Sequence, residues 1–201
     1  MFDSVGLLRH LVMTQPTAEI LETMSGNDNN KIVQLMWENI TDNVIDTMSV
    51  ILLIIKYNVD VNAIIKGKRL IEFLFYKEAF GCISVLLLSN RLDKTVDYQL
   101  GNCTEPLSYK DFLKTLLAIA KQATLPDISE VKRDILISSV VIAEKYQLLN
   151  LPNAELVKRG NKLLIEHNTE LTKHVRNKNV TSDLYALLGL LSRQYNSETL
   201  H

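Results

Sequence analysis

Glu166, His167, Glu170 and His174 are donor types that bind divalent metals, and Glu170 and His174 share one face of a helix at four-residue spacing. A catalytic zinc on such a helix needs three protein ligands and an open position. No third ligand is marked, so the cluster reads as a solvated helix face carrying an acid-to-base pair, and no metal is expected. Cys82 with a distant histidine would make a thiol nucleophile, yet it stands directly before Ile83 in an apolar run, and buried thiols are inert. Asp127 and Glu130, just after Pro126, are better explained as helix-capping residues than as paired catalytic carboxylates. The chain contains no Walker loop, no Gly-x-Gly-x-x-Gly, no His-Glu-x-x-His and no Gly-x-Ser-x-Gly. The expectation is a chain with no catalytic residues and no cofactor.

One basic run differs in its setting. Lys66, Lys68 and Arg69 fall in a polar connection just before a helix start, where an acidic side chain or a phosphate could be met. Lys158 and Arg159 have less to distinguish them from ordinary solubilising charge.

The elements that position these residues are helices. Only 7 Gly and 4 Pro in 201 residues leave few turn markers, and no stretch alternates apolar and polar residues as a half-buried strand would. The expected class is therefore all-α, with no sheet. Hydrophobic content of 47% against 22% charge is a folded composition, and a net charge of −1 provides no global field for nucleic acid or an anionic membrane. The acidic residue in Met1-Phe2-Asp3-Ser4 and the Arg9-His10 interruption argue against a cleaved secretory signal. The most apolar segment, Met48 to Ile55, is too short to span a bilayer, which needs about 20 residues. Two cysteines without a spaced framework imply reduced thiols in a cytosolic setting.

Short helices are expected over 3–13 and 16–24, then a pair over 31–56 and a pair over 70–90, the latter split at Gly81 into 70–80 and 83–90. Ser108-Tyr109-Lys110-Asp111 has the spacing of a capping box and opens a helix with Phe112, Leu113, Leu116, Leu117 and Ala120 on one face. Further helices are expected from Pro126 through about Gln147, from Asn153 to about Val175, and from Thr181-Ser182-Asp183 onward. Gly160 is a weak point in the second of these, at about 1 kcal/mol relative to Ala. Leu184, Leu187, Leu188, Leu191 and Tyr195 form the buried stripe of the last helix.

The middle of the chain states one pattern twice. Leu52 to Asp60 aligns with Val85 to Asp93, each an apolar run followed by turn-like residues, an apolar residue and an aspartate, at an offset of 33 residues. With Val59-Asp60-Val61-Asn62-Ala63 and the nearby Gly67, this resembles the ankyrin repeat, whose outer helix ends in an apolar run before the chain turns out into a finger. The match covers about 31–97. Arg69-Leu70-Ile71-Glu72 stands where the family has Thr-Pro-Leu-His, and the turn glycine is Asn58 in one copy and Arg91 in the other. The resemblance implies a short ankyrin-like α-solenoid of stacked helix pairs over 1–107, with longer capping helices or a helical subdomain over 108–201.

Ankyrin-like stacks grip other proteins with finger tips and inner-helix surfaces. By resemblance, the contact surface would comprise Asn62, Lys66, Lys68 and Arg69 of the finger with Glu72, Tyr76 and Lys77 of the following helix. Tyr76 and Arg69 are the expected anchors, being residue types that carry interface energy. The expected function is a non-catalytic interaction module for another protein, with neither nucleic acid nor membrane as partner. A small all-helical enzyme or allosteric regulator with a site in the C-terminal helices is the alternative. Abundant Asn, Ile and Lys also look like bacterial or viral effectors, so the expected location is the cytoplasm or a host-cell cytosol reached without a cleaved signal.

Overall fold

Lys66 and Gly67 both have positive φ, 51° and 78°, as the two central residues of a type I′ hairpin turn require. They join β1 (Ile64–Ile65) to β2 (Lys68–Arg69), antiparallel, with Ile64 opposite Arg69 and Ile65 opposite Lys68. This small hairpin departs from the expectation of no strand, because two residues per strand are too few for alternation to show in the sequence. The computed structural model describes residues 60–101, 103–122, 130–167, 169, 173 and 180–198. The expected helices before residue 60, Asn58 and the capping residues Pro126 to Ser129 lie outside that range.

Among the described residues six helices follow the hairpin: α1 (Leu70–Tyr76), α2 (Phe80–Ser89), α3 (Tyr109–Lys121), α4 (Glu130–Tyr146), α5 (Asn153–Glu166) and α6 (Val180–Glu198). The class is all-α. The expected break at Gly81 is corrected: Gly81 lies inside α2, and the chain turns at Lys77-Glu78-Ala79. The amide of Glu78 donates to Phe75 O at 3.0 Å and that of Ala79 to Leu74 O at 2.9 Å, while Glu78 has φ 56°. These two bonds form a Schellman motif, with buried Leu74 and Ala79 as its apolar contact. Glutamate therefore occupies the left-handed position that usually takes glycine. At the end of α2 the left-handed residue is Asn90, φ 56°, and not Arg91 as the alignment suggests.

The start of α3 follows the sequence reading: Ser108 Oγ accepts the amide of Asp111 at 3.2 Å. α4 ends within a residue of its expected limit, whereas α5 stops at Glu166, short of 175, with the His167 amide bonded to Leu163 O at 2.9 Å. α6 begins at Val180, one residue early, and all five stripe residues from Leu184 to Tyr195 are buried.

α4 is the hub. It packs against α2, α3, α5 and α6, and it buries Leu136, Ile137, Val140, Val141, Ile142, Ala143 and Tyr146 on several faces, as a helix surrounded by others must. α2 is sequestered from Cys82 to Asn90, so the apolar run Val85 to Leu88 is core. One apolar interior runs from Val61 to Tyr195. Gly160 of α5 is part of it: a Cβ there would meet Leu188 Cδ2 at 2.7 Å and the Tyr146 hydroxyl at 3.0 Å. Its missing side chain thus permits close packing of α5 against α6 and α4.

Candidate partner-binding surface

The hairpin is held from beneath by Asn62. Its Nδ2 donates to Arg91 O at 3.0 Å and its Oδ1 accepts the Asp93 amide at 2.8 Å, which pins the finger to the chain leaving α2. Two aspartates frame this clamp. Asp60 Oδ1 accepts the amide of Asn62 at 2.9 Å, and Asp93 Oδ1 accepts that of Thr95 at 2.8 Å, so the two aspartates aligned at the 33-residue offset each bond the amide two residues on.

Glu72 makes a second clamp. Its buried carboxylate accepts the Arg69 amide through Oε2 at 2.7 Å, capping α1, and the Gln99 amide through Oε1 at 2.7 Å. The Arg69 guanidinium turns the same way: Nη1 donates to Asp97 O at 3.0 Å, lies 3.6 Å from Glu72 Oε1, and Cζ sits 5.6 Å from the Tyr98 ring centre. Tyr98 is itself buried. Its hydroxyl donates to Asp93 O, and it pairs with Leu107 through two backbone bonds of 2.8 Å. Burial raises the Tyr98 phenol well above its ordinary range. Asn62, Arg69 and Glu72 thus hold the hairpin in place, and the Arg69 side chain is 18% exposed.

The remaining four expected residues, Lys66, Lys68, Tyr76 and Lys77, are all exposed. Tyr76 is 66% exposed, with the Lys68 ammonium 5.5 Å and the Lys77 ammonium 5.7 Å from its ring centre, inside cation–π range. Lys77 also lies 5.8 Å from the Phe73 ring. Lys66 is exposed at the turn, and Ile64, 62% exposed, adds an apolar side chain that sequence reasoning missed. Its only signal was position, two residues before a Lys-Gly turn. Glu78 is the exposed acid that follows Lys77.

The candidate chemistry elsewhere takes a different form. Cys82 is buried, Cys103 is half-buried, and neither is in a disulfide. Glu166 and His167 end α5, Glu170 and His174 lie outside the described residues, and no metal-like group of three donors gathers among the described residues. Glu130 opens α4. No helix among the described residues is long and apolar enough to cross a membrane. An open hollow of about 270 Å³ lies between α4 and α6, lined by Lys132 and Ile135 on one side and by Asp183, Ala186, Leu187 and Leu190 on the other, with Gly81 of α2. Comparison with protein-family models, curated proteins and solved structures finds no match to this chain.

Proposed function

We propose that this chain is a non-catalytic protein-interaction module that binds an acidic segment of another protein through the hairpin and α1. The observation that carries this reading is Tyr76, exposed, with the Lys68 and Lys77 ammonium groups both close to its ring. An aromatic ring supplies contact area at low entropic cost, and lysines beside it select carboxylates. The Asn62 and Glu72 clamps support it as well, since a preorganised surface loses less freedom on binding. The matching side-chain bonds of Asp60 and Asp93 and the α1–α2 helix pair support an ankyrin-like solenoid. Two cysteines outside any disulfide fit a cytosolic site of action, in the cell of origin or in a host.

Affinity capture with the wild type, followed by calorimetry on the purified partner, tests the reading. A Lys68→Glu/Tyr76→Ala variant is expected to lose the partner, weakening binding at least about tenfold. Lys158→Glu, on the remote surface of α5, is expected to retain it. Equal affinity of wild type and double variant would overturn the assignment of this surface.

A further inference from the structure

The hollow between α4 and α6 lies at the lower edge of the range of small-molecule sites, about 300 to 1,000 Å³. Its 270 Å³ suits one or two aliphatic side chains. Leu190 stands at its edge and is 38% exposed. It belongs to a line of four exposed residues on one face of α6: Asp183, Ala186, Leu190 and Arg193, spaced at three, four and three residues as a helical face requires.

That line is complementary to itself when reversed. A two-fold axis passing beside α6 at the level of Leu188 runs two copies of the helix antiparallel. It sets Asp183 against Arg193 of the second copy and Ala186 against its Leu190. Each acid then meets a base, and each large side chain meets a small one. Ala186 lines the hollow with a short side chain, and Leu187 and Ile135 supply apolar walls. An isologous interface demands this reciprocity, in which residue i meets j and j meets i. A small-molecule ligand would not need the charges at both ends, about 15 Å apart along a helix that rises 1.5 Å per residue.

We infer that this face of α6 is a homodimer interface, in which Leu190 of each copy enters the α4–α6 hollow of the other and Asp183 pairs with Arg193 across the axis. The dimer adds a second copy of the hairpin surface and does not depend on what that surface binds.

Sedimentation velocity of the full chain across two decades of concentration, up to high micromolar, tests the inference. The wild type is expected to shift from monomer to dimer, and Leu190→Lys to raise the dissociation constant at least about tenfold. Asp183→Arg and Arg193→Asp are each expected to weaken the dimer, and the double variant D183R/R193D to restore it. Restoration cannot arise from a folding defect, and circular dichroism of each variant checks the helix content. A wild type that stays monomeric overturns the inference and leaves the hollow to a different occupant. So does a dimer indifferent to Leu190→Lys, or a double variant no tighter than the single ones.

Discussion

The hydroxyl of Tyr195 donates to the backbone carbonyl of Ser89 at 2.7 Å, inside the core and across 106 residues of sequence. The bond joins the last helix to the end of α2, where α2 runs out of intrahelical donors for its final carbonyls. The Arg91 guanidinium lies 5.5 Å from the same ring. Tyr195→Phe keeps the packing and removes the donor. We expect a loss of about 1 kcal/mol, since a net hydrogen bond is worth that much, and up to about 3 if the carbonyl is left unsatisfied. Urea melts measure it, and an unchanged midpoint would show that water replaces the hydroxyl.

Gly160 reverses an ordinary expectation. In an exposed helix interior Gly→Ala gains about 1 kcal/mol. Here the added methyl meets Leu188 and the Tyr146 hydroxyl, both buried, and overpacking costs about 1 to 3 kcal/mol. Gly160→Ala is expected to lower the thermal midpoint, and a raised midpoint would mean that α6 can move aside freely.

Glu78 invites the opposite change. A non-glycine residue in the left-handed region is disfavoured by about 1 to 2 kcal/mol, and part of that is returned as extra freedom of glycine in the unfolded chain. Glu78→Gly is expected to stabilise by about 0.5 to 1 kcal/mol by the same balance. Chemical denaturation decides it. A destabilised variant would mean that the glutamate side chain contributes more than its backbone strain.

Acid dependence follows from Asp93. The Thr95 hydroxyl and amide bonds, with a smaller contribution from Arg69, hold its carboxyl below the ordinary value of 3.8. The unfolded chain therefore takes up this proton at a higher pH than the folded one. The group's stabilisation is present above 3.8 and is lost as pH falls through its lower folded value. Asp93→Asn can still accept the Thr95 amide but carries no titrating charge. Wild type is expected to lose stability relative to this variant as pH drops below that range. Parallel pH dependences in urea melts would remove the argument.

The all-helical class, the Ser108 cap, the α6 stripe and the burial of Val85 to Leu88 were legible in the sequence because each rests on local spacing. What was not legible depends on distant backbone. Glu72 and Asn62 look like surface residues of a finger, yet their acceptors are filled by amides at Gln99 and Asp93, 27 and 31 residues away. No local pattern announces such a bond. Gly81 misled for the converse reason: glycine is permitted at a break but does not demand one, and the Schellman bonds placed the turn at Glu78.

The two clamps have a consequence for exchange with solvent deuterium. The Asp93 and Gln99 amides are bonded by side chains of the hairpin and α1, not by a helix or strand of their own. Their protection thus reports whether the hairpin is seated, through an opening smaller than global unfolding. If the hairpin lifts as one body, both amides exchange together at a common rate, and Asn62→Ala accelerates not only Asp93 but also Gln99.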